Sequence, residues 1–250
     1  MQNNFFCKSP FINLYEKPSL NSKISSQILY GEKFKILLKK KNFLKIKNSY
    51  DNYVGYIKSS NYDNKFKPTH KISVLKSRIF NKPKNNINKK FNQFLSFSSE
   101  IAVLKKKNNF VMFKKNKWLK IKDIYKIKKK EKNYTKILNL FLNCKYKWGG
   151  KTFNGIDCSA LIQIFYKFNN KFFPRDTADQ IKIKKGIKYK KKFKKGDIIF
   201  WEGHVALCIS SKKLIHAYGP KKKVIIMPIK ETIKRIKKTA NLKIKKICRI

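Results

Sequence analysis

Three side chains in the second half of this 250-residue chain have the chemistry to break an acyl bond together: Cys158, His204 and His216. Cys158 lies in "GIDCSALIQIFYKF", one residue after Asp157 and three after Gly155. Leu161, Ile162, Ile164, Phe165 and Phe168 follow at the spacing of a largely buried helix. Asp157 is the expected N-cap, and Gly155 permits a tight lead-in turn. A thiol at a helix start feels the positive end of the dipole, which predicts a lowered pKa and a thiolate. Most free cysteines are small buried hydrophobes instead, so Cys158 needs a base beside it before it reads as a nucleophile.

The histidines are His70, His204 and His216. His70 falls between two strand-rich stretches and is expected to be solvated. His204 follows Glu202-Gly203 and opens an apolar strand, and His216 sits in the next strand. One hairpin would hold both. Direct opposition needs a turn centred on Ser210, whereas a turn at Ser211-Lys212 offsets the rings by a few residues. Composition does not fix that register.

The elements that must position these groups are legible in outline. "CSALIQIFYKF" is a helix, and "GDIIFWEG", "HVALCISS" and "KLIHAYG" are strands, so residues 128–250 read as α+β. The first half is different. "KFKILLKK", "FLKIK" and "YVGYIKSS" are short runs of β-branched and aromatic residues between polar turns. "EIAVLKKKNNFVMFKKNKWLKIKDIYKI" repeats the theme. Two small β-barrels are expected, at 1–62 and 63–127, before a charged connector, "KIKKKEKNYTK".

Composition narrows the function. The chain carries 63 basic and 13 acidic residues, a formal net charge of +50, yet only four arginines, at 78, 175, 235 and 249. Arginine is the residue of choice for bidentate phosphate and guanine contacts. Lysine is spread along the whole chain, so it reads as filling solvent positions, and no specific nucleic-acid partner is expected. At 42% hydrophobic the chain can bury real cores. Five cysteines at 7, 144, 158, 208 and 248 fit neither a disulfide framework nor a zinc site, so no metal or other cofactor is expected. No apolar run approaches the ~20 residues of a membrane helix, and "MQNNFFCKSPFINLYEKP" lacks a secretory pattern. A cytoplasmic protein without a transmembrane segment is expected.

Several motifs now converge. "YKWGGKTFNGIDCSALIQIFYKF", "FPRDTADQ" and "KKGDIIFWEGHVALCISSKKLIHAYGP" resemble, in order and spacing, the NlpC family of papain-like cell-wall cysteine peptidases. One departure is Ala160, where the family commonly has glycine. "NLYEKPSLNSKISSQILYGEKFKIL" resembles the bacterial SH3-like domains that often precede such peptidases. The resemblance implies a papain-like domain after two SH3-like barrels. It also implies Cys158 as nucleophile, His204 as base and His216 as the group that orients the base. Tyr146 matches the family's tyrosine near the oxyanion site. Asp157 and Ser159 match positions that meet the substrate's free amine and D-glutamyl group. Arg175 is expected to brace its loop, while Trp148, Gly149 and Gly150 shape the approach. The implied substrate is a peptidoglycan-derived muropeptide, cut between γ-D-glutamate and the diamino acid during recycling, with the SH3-like part as a lid. A papain-like amidase or acyltransferase, and a muropeptide-binding module without activity, are the competing readings.

Overall fold

The computed structural model describes residues 4–59, 62–85, 92–183, 185–187 and 192–250. The chain divides into two compact units, Met1–Lys130 with Phe168–Asn170, and Glu131–Lys167 with Lys171–Ile250.

The first unit is β-rich. One seven-stranded antiparallel sheet orders its strands 24–29, 11–15, 54–58, 43–48, 33–40, 4–7 and 62–63. Alternating side chains turn inward, and Ile12, Leu14, Ile28, Phe34, Leu44, Ile46 and Ile57 make its core. Strands within 70–78 and 94–126 form smaller sheets around a second core of Ile72, Ile79, Leu95, Ile101, Val111, Phe113, Leu119 and Ile124. Tyr30, just after the strand 24–29, is part of this second core, with its ring 5.4 Å from Phe113. That shared tyrosine ties the two cores together within one compact unit. The strand Tyr62–Asp63 pairs with Phe6 and Cys7, so the first sheet runs across the expected 62/63 boundary.

The second unit is α+β. Its sheet is antiparallel, in the order 223–228, 213–218, 204–208, 197–201 and 246–249. Helix α1 (Tyr134–Asn139) is capped by Asn133, whose side chain accepts from Lys136 N–H. Helix α2 (Cys158–Phe168) buries nearly its whole surface, with Ala160, Leu161, Ile162 and Ile164 at 1% exposure or less. A short α3 (Thr177–Ile183) follows. Helix α4 (Ile229–Ala240) buries Ile229, Thr232 and Ile236 at helical spacing and turns its lysines outward. Ile229 and Ile236 pack with Ile199, Trp201, Ala206, Cys208, Leu214 and Met227 of the sheet. Each such aliphatic side chain contributes about 1.5–3 kcal/mol through burial. Among the described residues, no helix is long and apolar enough to cross a membrane.

Candidate active site

Cys158 opens α2, and Asp157 is its N-cap. The main-chain carbonyl of Asp157 accepts from Leu161 N–H at 3.1 Å, and its carboxylate accepts from Ala160 N–H at 2.8 Å. The lead-in is a tight hairpin in which Lys151–Thr152 pairs with Gly155–Ile156. A Cβ on Gly150 would stand 2.4 Å from the Gly155 carbonyl oxygen, so this approach needs glycine.

The histidines come from the sheet. Trp201 pairs with His204 across a two-residue turn, Glu202-Gly203, with Gly203 at φ +65°. Leu207 pairs with Ile215 and Cys208 with Leu214, which centres the next turn on Ser211. Continued along the strands, that register offsets His216 from His204 by two residues and keeps both on one face. Their rings lie 5.1 Å apart, with His204 Nε2 2.9 Å from His216 Nδ1. The offset expected from a turn at Ser211 is therefore the one that occurs. His70 lies in the first unit, within the strand His70–Ile72, and its Nδ1 meets the Thr69 hydroxyl at 2.9 Å.

The thiol reaches the backbone around His204. Cys158 Sγ lies 3.9 Å from the Gly203 carbonyl oxygen, and the N–H groups of Val205 and Ser159 hydrogen-bond toward the sulfur. The expected lowered pKa is not found. Cys158 is 4% exposed, and burial, reinforced by the Asp157 charge, pushes the thiol up to about 11. The two N–H groups and Arg175 pull the other way without prevailing. Burial lowers His204 to about 4 and, with the His204 charge beside it, His216 to about 3. Burial thus favours the neutral form of the thiol and of both imidazoles.

Asp157 also differs from expectation. Its carboxylate accepts from Arg175 at 3.0 Å and 2.5 Å, from Ser159 Oγ at 3.1 Å and from Gly149 N–H at 2.9 Å, besides Ala160. At 5% exposure both oxygens are engaged internally, which leaves this group poorly placed to meet a substrate amine. Ser159 Oγ in turn accepts from Arg175 at 2.8 Å. Arg175 is 1% exposed and holds the start of α2 through Asp157 and Ser159, where the sequence suggested a brace for its own loop. Gln180 adds a clamp through hydrogen bonds to the Ser159 and Pro174 carbonyls at 3.0 and 2.9 Å.

Tyr146 bridges to Ile156, two residues before Cys158. Its phenol is held well above its ordinary pKa by burial and by the nearby Cys158 and Asp157 charges, so it is a neutral hydrogen-bond donor. Trp148 is 63% exposed. Two neighbours escaped the sequence reading. Tyr218 stacks on His216 with ring centres 4.6 Å apart, and Met227 Sδ lies 3.4 Å from His216 Nε2. Strand alternation puts Tyr218 on the face of His216, but Met227 needs the register of a further strand.

A thiol at a helix start, facing a sheet that carries paired imidazoles, defines a papain-like cysteine peptidase. Residues 143–241 match the NlpC/P60 family, and residues 14–61 match the bacterial dipeptidyl-peptidase Sh3 domain. Residues 143–241 thus form an NlpC/P60-type cysteine peptidase domain, behind an SH3-like N-terminal region. It is 26% identical over 234 residues to a γ-D-glutamyl-L-lysine dipeptidyl-peptidase of Bacillus subtilis, covering 84% of this chain and 77% of that protein. It is 24% identical to dipeptidyl-peptidase 6 of Lysinibacillus sphaericus, covering 82% and 84%. The fold is similar to an NlpC/P60 family protein from Bacillus cereus, at TM-score 0.76 and 19% identity, over 90% of this chain and 94% of that one.

Proposed function

We propose that this chain hydrolyses the bond between γ-D-glutamate and the diamino acid in peptidoglycan-derived peptides. The observation that carries the proposal is the Cys158 thiol set against the backbone of Gly203–Val205, with His204 bonded to His216 at 2.9 Å. Cys158 attacks the carbonyl carbon, and His204 takes the thiol proton as the sulfur–carbon bond forms. The imidazolium then returns that proton to the leaving amine, and water hydrolyses the thioester. His216 accepts from His204 and holds its ring without placing a negative charge beside a thiolate. Backbone N–H groups at the α2 start and the neutral Tyr146 phenol face the developing oxyanion. Asp157 and Ser159 belong to the frame that fixes the thiol.

Two relatives are named dipeptidyl-peptidases, which supports a free N-terminus two residues before the cut. Free L-Ala-γ-D-Glu-diaminopimelate is the preferred substrate on this reading, and recycling of short peptides inside the cell is the role. The test is product analysis on that tripeptide, on its L-lysine analogue and on N-acetylated forms. Release of L-Ala-γ-D-Glu, its loss in Cys158→Ala, and a drop of at least ~10²-fold in kcat/KM on acetylation are expected. No cleavage of either free peptide refutes the bond assignment. Equal rates on capped and free peptides refute the free-peptide preference alone.

A further inference from the structure

His216 is fully buried, so each ring nitrogen must find its partner inside the protein. Nδ1 lies 2.9 Å from His204 Nε2, and Nε2 lies 3.4 Å from Met227 Sδ. A thioether sulfur accepts hydrogen bonds and has no hydrogen to donate. The Met227 contact is a hydrogen bond only when Nε2 carries the proton. A neutral imidazole has one N–H, so Nδ1 of His216 is then bare and accepts from His204 Nε2–H. By the same rule His204 Nδ1 is bare. We infer that Met227 is a positioning residue: its acceptor-only sulfur sets the tautomer of His216 and thereby keeps the lone pair of His204 on Nδ1, free to take the thiol proton.

The opposite polarity shows why this matters. If His216 carried its proton on Nδ1, it would donate to His204 Nε2, and His204 would carry its own proton on Nδ1. That ring could not accept from a thiol. His216 Nε2 would meanwhile point a lone pair at the lone pairs of sulfur. Two features keep the device in register. Tyr218 stacks on His216 at an interplanar angle of 10°, which opposes a ring flip that would exchange the nitrogens. Met227 is 7% exposed and pairs with Leu214 in the adjacent strand, two residues from His216 on the same face. Burial also keeps His216 neutral, the condition under which a tautomer choice exists.

The inference rests on the proposed role of His204 as base, and two separate readouts distinguish its failure from failure of that role. The chain has three methionines, Met1, Met112 and Met227. In the full chain carrying Met112→Leu, the remaining methionines are replaced during synthesis by norleucine or by selenomethionine. Norleucine keeps the apolar shape without an acceptor, and selenomethionine keeps the acceptor. The first readout is the ¹⁵N ring shifts of His204 and His216 in a Cys158→Ala version without substrate. The second is kcat and KM in the active enzyme. The methionine and selenomethionine proteins are expected to show His216 protonated on Nε2, with kcat within about twofold of each other. The norleucine protein is expected to populate the Nδ1–H tautomer and to lose about three- to tenfold in kcat at unchanged KM. Protonation of His216 on Nδ1 in the methionine protein overturns the inference, as does a norleucine protein equal to the selenomethionine one in both readouts. Full activity of Cys158→Ala with the expected tautomer refutes the catalytic reading and leaves the tautomer lock standing.

Discussion

Arg175→Met tests whether this arginine braces the nucleophile or binds substrate. The guanidinium donates to both oxygens of Asp157 and to Ser159 Oγ, and it is 1% exposed. Removing it leaves a buried carboxylate without its counter-charge, which costs about 3–5 kcal/mol. Whole domains are stable by about 5–15 kcal/mol, so the loss would be plain in urea unfolding at unchanged m. Arg175→Lys keeps the charge but loses the fork that spans two carboxylate oxygens and a hydroxyl, for about 1–3 kcal/mol. In Asp157→Asn/Arg175→Met both charges go together, and asparagine still caps Ala160 N–H. That pair should cost only about 1–2 kcal/mol, less than Arg175→Met alone. Activity would fall through kcat, because the start of α2 loses its frame. A destabilisation below about 1 kcal/mol with the loss confined to KM would refute the brace and return Arg175 to the substrate.

Other outcomes follow from the same geometry. Because burial lifts the Cys158 thiol to about 11, its alkylation by iodoacetamide in the substrate-free enzyme should keep accelerating up to about pH 10, whereas a plateau near pH 7 would reveal a resting thiolate. His216→Asn should retain more kcat than His216→Leu, since an amide still accepts from His204, and equal rates would deny His216 an orienting role. The native pKa values of His204 and His216, about 4 and about 3, lie below the unfolded value of about 6.5. Their stabilising contribution is therefore present above pH 6.5 and is lost as pH falls toward 4. Urea midpoints should drop between pH 7 and pH 5, with a shallower drop in His216→Asn, and a flat profile would contradict the buried neutral pair.

What the sequence disclosed was mostly local. The Asp157 cap, the α2 helix and the glycine-led turns depend on neighbours within a few residues, so they could be read directly. The two histidines could be placed on one hairpin, but their offset waited on the turn at Ser211. The thiol pKa went the other way because a helix terminus is visible in sequence while desolvation is a property of the packed site. The ion pair of Asp157 with Arg175, 18 residues away, is not legible in sequence, because it forms only in the folded chain. Met227 carries no motif, and only the pairing of Leu214 with Met227 brings its sulfur near His216. The extension of the first sheet to Asp63 is hidden for a similar reason, since Tyr62–Asp63 returns to Phe6 and Cys7 from far along the chain.

Amid the lysine excess, the folded chain shows what two of the few arginines do. At a solvated position either cation serves, because exposed ion pairs contribute only about 0–1 kcal/mol and do not select geometry. A buried carboxylate that takes two donors from one side chain needs a planar fork, which an ammonium cannot supply. Two of the four arginines sit against such carboxylates in the second unit. Arg175 spans both oxygens of Asp157, and Arg249 donates through Nε and Nη2 to one oxygen of Asp197, which is 2% exposed. Asp197 opens the strand that leads through Trp201 to His204, and its second oxygen accepts from Lys194 N–H at 2.7 Å. One arginine thus steadies the helix that carries the nucleophile, and the other steadies the strand that leads to the base. A drift toward lysine can run freely over the rest of the surface, but at these two positions it would loosen the distance between thiol and imidazole on which the proposed reaction depends.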